Sequence, residues 1–456
     1  MGGGRRRIVQ TAVPGALGLA VLLMLGCAAD PQGGSPGSTT QDPAVATTAE
    51  EAPWDPPAAR RLAHSSWGKC AEGDVEGCRE GLRRALELRP GHVEYLQLLA
   101  EAEAKAGNVD GALDALSRIA AQTSDLTLPE ADVLTALVAD PGYVDAMAAL
   151  EAFEEPIGVA EVAFRFPGEA DAVPEGLAVD PATGDVYLGS IHRRKILRRA
   201  ADGTVSDFAA EGEHGLWAVF GLAVDPETRR LWAVTSTIPN MRGFDESAGD
   251  RAALIAFDLE DGSVAERHAP EGDHRFSDLT LGPDGTIYVS DNVAKHLWHL
   301  PKGGALEPFG DPEGVQNPQG LAVSADGRHL FAADYGYGLV AFDVATGESS
   351  FIRDLAGFST EGIDGLARHG DALYAVQNGL IPARVTRFEL SEDLSRVESA
   401  EVLHRGLPEY EEPTLCTVSG DVLYYVATSQ WNRFDDFAKL PPAEDLVDPL
   451  ILKIDL

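Results

Sequence analysis

A short unit that returns six times between Pro174 and Leu456 restricts the fold of this chain more than any other property of its sequence. Its clearest copies are Gly176-Leu-Ala-Val-Asp-Pro-Ala-Thr-Gly-Asp-Val-Tyr-Leu, Gly221-Leu-Ala-Val-Asp-Pro-Glu-Thr-Arg-Arg-Leu-Trp-Ala and Gly320-Leu-Ala-Val-Ser-Ala-Asp-Gly-Arg-His-Leu-Phe-Ala, with looser copies beginning at Leu279, Gly365 and Leu415. Each reads as a strand, a tight polar turn and a second strand, and most are followed by another strand pair, such as Lys195-Ile-Leu-Arg-Arg with Thr204-Val-Ser-Asp-Phe. Four strands per unit at a spacing of roughly 45–50 residues predict an all-β six-bladed propeller over 159–456. A closed ring also hides the edges that so many short strands would otherwise expose. A strand around Val162–Phe166 is expected to complete the last blade from outside and fasten the ring.

Ahead of the propeller, residues 58–156 read as a small all-α segment. Apolar residues recur at three and four from Leu62 to Phe153, with alanine and leucine dominant. The pattern predicts helices over Val75–Leu88, Val93–Lys105, Val109–Ala121, Glu130–Val138 and Tyr143–Phe153, broken at Pro90-Gly91 and Gly107-Asn108. Gly81 to Pro90, followed by Leu99, Ala100, Gly107, Ala112 and Leu116, resembles the tetratricopeptide helical hairpin. Cys70 to Cys78 resembles the cysteine-bearing Sel1-like relative of that hairpin. Too few repeats are visible for a free-standing solenoid, so the segment leans on the propeller or on a protein partner. Two readings follow: an interaction module, or an adaptor that caps or spaces the propeller.

The N-terminus bears on compartment. Arg5, Arg6 and Arg7 precede an apolar run from Ala12 to Leu25, too short to span a bilayer, and Gly26-Cys27 follows. This layout resembles the lipobox of bacterial lipoproteins, which implies a signal peptide over 1–26 and lipidation of Cys27; the alternative is an ordinary signal peptide with a stray cysteine. Residues 27–57 are rich in Pro, Gly, Ser, Thr and Ala and read as a flexible tether. The expectation is an exported protein, membrane-anchored at the cell envelope on the periplasmic or outer surface. Export would let Cys70 and Cys78 form a disulfide, while Cys416, in a strand-like run, is expected buried and free. The net charge of −37, or −40 once three arginines leave with the signal, excludes a nucleic-acid partner.

In a propeller the start of each innermost strand and the loop after the next strand converge on one end of the channel. Those positions hold Glu175, Phe220, Asp278, Gln319, Asp364 and Pro413, with Glu411 and Glu412 just behind the last, and His192, Asn240, Asn292, Tyr335, Asn378 and Ser429 in the loops. Such carboxylates and carboxamides are hard oxygen donors that suit calcium, with magnesium or manganese as alternatives, and suit zinc poorly. The competing reading is that Asp and Asn stand there because turns favour them.

From Pro174 to Leu456 the chain resembles the family of regucalcin, gluconolactonase and the calcium-dependent phosphotriesterases. The resemblance implies a six-bladed propeller whose divalent metal is held by a first-blade glutamate, central asparagines and a late aspartate, and which opens lactones or cleaves esters or phosphoesters. Pro174-Glu175-Gly176 is similar to the segment with the glutamate, and Ile363-Asp364-Gly365 to that with the aspartate. Two positions depart: Ser277 stands where Arg275-Phe276-Ser277-Asp278 would offer asparagine, and Gln319 replaces the central ligand asparagine, with Asn317 nearby. The implied metal set is Glu175, Gln319 and Asp364, with Asp364 and Asp278 as catalytic candidates. Ser277, Asn317, Asn292, Asn378, His192 and Asn240 are candidates for contact with a small-molecule substrate. No Gly-x-Ser-x-Gly elbow and no P-loop occurs, which counts against serine catalysis and nucleotide hydrolysis. The other functional reading is a non-enzymatic propeller that binds a ligand or protein at the envelope. Trp217, Phe220, Trp232, Met241 and Phe244 would form its apolar patch or simply blade core, and the long stretch Thr237–Arg251 is the candidate lid or specificity loop.

Overall fold

The computed structural model describes residues 53–126 and 137–456. The Cys27 lipidation site and signal peptide lie outside the described residues, as does most of the helix expected over Glu130–Val138. Five helices precede the strands among the described residues: α1 (Pro56–Glu72), α2 (Val75–Leu88), α3 (Val93–Lys105), α4 (Val109–Ala120) and α5 (Pro141–Phe153). None is long and apolar enough to cross a membrane. Helix α1 begins six residues ahead of the expected periodicity, because Asp55 caps it, accepting from Ala58 N at 2.8 Å, and Pro56 and Pro57 occupy its first turn. Proline suits that turn, where the amide would lack a helical partner anyway. Asp74, Asn108 and Asp140 cap α2, α4 and α5 in the same way, whereas α3 has His92 at its N-cap and no side-chain cap of its own. Leu82, Leu96, Leu116 and Ile119 fill the seam between the paired helices, and Leu380 of the propeller is buried among them. Cys70 and Cys78 form a disulfide across the α1–α2 turn, with Cα atoms 5.2 Å apart. Cys416 is free and half-buried.

The strands form six four-stranded sheets arranged as propeller blades. Blades one to five are each a meander read inside to outside: β2–β5 (Pro174–Ala209), β6–β9 (Ala218–His268), β10–β13 (Phe276–Phe309), β14–β17 (Pro318–Phe351) and β18–β21 (Ile363–Arg405). Blade six takes β22 (Cys416–Ser419), β23 (Val422–Val426) and β24 (Leu450–Asp455), and β1 (Glu161–Arg165) closes it by pairing antiparallel with β24. The expected fastening strand is thus present, and it joins the two ends of the propeller sequence. Blades pack through alternate large residues such as Tyr187, Phe257, Phe342 and Phe388. Glycine is required on the innermost strands by crowding: a Cβ on Gly221 would stand 2.6 Å from Asp278 Oδ1.

Candidate active site at the channel mouth

Each innermost strand of blades one to five carries a β-bulge close to its start. Register places Pro174 opposite Ser190, Val219 opposite Thr235, Phe276 opposite Asp291, Pro318 opposite Asp334 and Ile363 opposite Gln377, with an irregularity before the next regular pairs. A bulge bends its strand and re-aims the side chain there. The residues so placed are Glu175, Phe220, Ser277, Gln319 and Asp364, and Thr414 holds the matching place in blade six, two residues ahead of the Cys416–Tyr425 pair. Two expectations shift by one residue. Ser277, not Asp278, stands in the ring of blade starts, because Asp278 holds the place directly before leucine that Gly176, Gly221, Gly320 and Gly365 hold in their blades, and Thr414 replaces Pro413, because Leu415 holds that place in blade six. Asp278 sits one step further in, where blades one, two, four and five have glycine and blade six has Leu415.

Four carboxyl groups act on one another here. Glu175 Oε2 accepts from Trp431 Nε1 at 2.7 Å and from the Ser429 hydroxyl at 3.1 Å. Asp364 Oδ2 accepts from Asn378 Nδ2 at 2.6 Å, and Asn378 Oδ1 accepts from the Tyr335 hydroxyl at 3.1 Å. Asp278 Oδ2 accepts from Leu321 N at 3.3 Å, and Glu412 Oε2 from Asn432 N at 2.9 Å. Burial raises Glu175 well above the usual carboxylate range, and the Asp364 charge adds to it. Burial likewise pushes Asp364 up to about 6, against the pull of Asn378. Asp278 rises to about 8 and Glu412 to about 7, burial first and the Asp364 charge contributing to both. Among the described residues no lysine, arginine or histidine is a main influence on any of these four groups. An anionic cluster without a counter-ion holds protons or a bound cation, since several charged carboxylates in a poorly solvated site repel one another.

The surroundings divide in two. Over blades one, two and six, Ile238, Met241 and Phe244 of the Thr237–Arg251 loop pack in one apolar cluster with Phe220, Trp431 and Phe434. The Phe220 and Trp431 rings stack at 6.4 Å. His192 is fixed beside them by its Nδ1, 2.7 Å from Asn240 O, with its ring 5.8 Å from Phe434. Burial lowers the His192 pKa, which keeps the ring neutral. Trp217 packs at the margin of this cluster, and Trp232 lies within it as buried blade core. Over blades four and five the neighbours come from the helical segment and make buried polar contacts, with Leu380 packed among the helices. Below the ring, a cavity of about 380 Å³ runs along the innermost strands, lined by Leu177, Val179, Leu222, Cys416 and Asp278 among others.

Of the implied metal set, Glu175 and Asp364 share the electrostatic cluster, while Gln319 Nε2 donates to Asn317 Oδ1 at 3.0 Å. Ser277 Oγ and Asn292 Oδ1 are buried without a hydrogen-bond partner among the described residues. Among the described residues no group of three or more His, Cys, Asp or Glu side chains is arranged to hold a metal ion. The donor chemistry fits a hard cation even so: among the described residues Glu175 Oε1 and Asp364 Oδ1 accept no hydrogen bond, and carboxamide oxygens of Gln319 and Asn378 belong to the same mouth. Such a site would rest on two or three carboxylates completed by neutral oxygens. Trp431 was missed by sequence reasoning, although it follows Ser429-Gln430 in the long loop that separates β23 from β24.

No family model matches the chain, and no curated protein matches it. Solved structures similar to it include a gluconolactonase from Xanthomonas campestris, at 17% identity and a TM-score of 0.42, covering 65% of this chain and 98% of that one. A catalytically inactive virginiamycin B lyase from Staphylococcus aureus is similar at 14% identity and a TM-score of 0.44, covering 66% and 100%. A luciferin-regenerating enzyme stands at 14% identity and 0.45, covering 66% and 96%. The chain is a six-bladed propeller behind a helical segment, and its structural neighbours include gluconolactonase propellers.

Proposed function

We propose that the chain is a divalent-cation-dependent hydrolase, calcium the first choice of ion, that opens lactones or cleaves esters or phosphoesters at the mouth of its propeller. The observation that carries this reading is the convergence of Glu175, Asp278, Asp364 and Glu412 with no cationic side chain as a main influence among the described residues. A cation bound there would polarise the carbonyl or phosphoryl oxygen and stabilise its developing charge. Glu175, Asp364 and the Gln319 carboxamide would hold it, Glu175 being presented by Trp431 and Ser429. Asp364, kept in place by Asn378 and raised to about 6, is suited to take a proton from water near neutral pH. Asp278, at about 8, holds its proton under the same conditions. The Phe220–Trp431 stack excludes water and gives the apolar part of a substrate a surface to lie on. Tethering through Cys27 would place this activity at the envelope.

Calorimetric titration of calcium into the metal-stripped protein tests the reading. Saturable binding is expected, with at least tenfold loss in both Glu175→Ala and Asp364→Ala, and with turnover of aryl esters, lactones or phosphotriesters only in the loaded protein. Absence of binding by the wild type sinks the metal-dependent reading and leaves a propeller that binds ligands or proteins without turnover.

A further inference from the structure

The helical segment touches the propeller at the same three segments that hold the blade-four and blade-five site residues. Arg89, the C-cap of α2, is fully buried and donates to Gly336 O, next to Tyr335, and its Nε lies 3.8 Å from Asp354 Oδ2. The uncapped N-terminus of α3 meets Glu361, three residues ahead of Asp364: Glu361 Oε1 accepts from Val93 N at 3.1 Å, and Oε2 lies 3.2 Å from His92 Nε2. Beyond α4, Thr123 Oγ1 donates to Ile381 O at 2.5 Å, and Gln122 O accepts from buried Arg384 at 3.1 Å. Arg384 also donates to Ser359 O at 3.3 Å and to Gln377 Oε1 at 2.9 Å.

These contacts continue to the site without a gap. Gln377 Nε2 donates to Glu361 O at 3.0 Å, Gly362 N to Tyr335 O at 2.9 Å, and Gly379 N to Gly362 O at 3.1 Å. The crossing at Gly362 is so close that a Cβ there would stand 2.7 Å from Gly379 Cα. Asn378, held between Gln377 and Gly379, donates to Asp364, and Tyr335 donates to Asn378. A carboxylate at a helix N-terminus satisfies an otherwise orphaned amide and the helix dipole together. Glu361 has both reasons to keep its place.

We propose that the helical segment is a working part of the site, and that Glu361, bolted to the N-terminus of α3, is a positioning residue that fixes Asp364 through Gly362, Asn378 and Tyr335. The inference rests on the reading that Asp364 carries chemistry, but its structural core is independent of metal and turnover. It differs from a mere spacer role, in which the helices would stabilise the propeller without ordering any one carboxylate.

The test uses the full chain and amide hydrogen exchange of peptides covering 359–366 and 375–379. Glu361→Ala and the milder Glu361→Asp, whose shorter stem cannot reach Val93, are expected to raise exchange there about tenfold with blades one and two unchanged. Glu361→Gln, whose amide oxygen still accepts from Val93, is expected to stay within about twofold of the wild type. Thermal unfolding verifies that each variant is folded. With calcium as the probe, Ala and Asp are expected to weaken binding about tenfold and Gln to restore it. Faster exchange confined to α3, or equal behaviour of Ala and Gln, overturns the proposal. If the wild type binds no calcium, the hydrolase reading fails alone, and the exchange pattern still decides the role of Glu361.

Discussion

The two sides of the channel mouth are built by opposite means. Over blades one, two and six, loops meet through Met241, Phe244, Trp431 and Phe434, with apolar contact as the main bond between them. Over blades four and five, the helical segment is held by buried polar contacts of Arg89, Glu361 and Arg384. Apolar contact is non-directional and permits rings to slide and repack. A buried polar network is satisfied in one arrangement and penalises every other. On the proposed function, the apolar side would admit substrate and the polar side would hold Asp364 still. Trp431 belongs to both designs, since its ring packs while its Nε1 donates to Glu175.

The largest expected break of this contrast is Arg384→Met. It strips the hydrogen bonds from Gln122 O, Ser359 O and Gln377 Oε1 in a buried place. It should cost about 3–4 kcal/mol in urea unfolding. A cost near zero would show the polar side to be as tolerant as the apolar one.

The pH dependence comes next. Asp364, Glu412 and Asp278 have folded values of about 6, 7 and 8, and Glu175 is also raised, all above the ordinary carboxylate range near 4. Between those limits the native state binds more protons than the unfolded one. Stability of the metal-free protein is therefore highest below about pH 4 in respect of these groups. It is lost as pH rises through about 8, by up to about 1.4 kcal/mol per pH unit for each carboxyl still protonated. Saturating calcium should flatten that slope, which unfolding curves with and without the ion will measure.

Trp431→Phe is the finest of these cuts. It keeps the stack on Phe220 and removes only the donor to Glu175, so a loss of about 1–2 kcal/mol is expected. The Glu175 titration should move further up, because that donor favours the ionised form. Titration of the Glu175 carboxyl by NMR in the two proteins reads this directly, and an unmoved midpoint would assign Trp431 to packing alone.

Much of this was written in local pattern. Strand alternation and punctuated turns specify six units because each half-buried strand needs a neighbour, and the period repeats that demand around a ring. Helices α2 and α3 begin and end where their periodicity does. Glu175 and Asp364 are legible because they precede Gly-Leu at the start of a repeat. Helix α1 was obscured by the Pro-rich stretch whose last prolines form its first turn.

The tertiary structure alone decided the rest. That Glu175, Phe220, Ser277, Gln319 and Asp364 are aimed into one ring depends on bulges, which re-aim a side chain without marking the local pattern. Glu361 and Val93 are 268 residues apart, and Trp431 and Glu175 256, so no local periodicity links either pair. Sequence determined that this chain makes blades and helical hairpins, because those elements answer to neighbours a few residues away. Which face of the ring the helices cover, and which carboxylate they hold, depends on surfaces that exist only once both parts have folded.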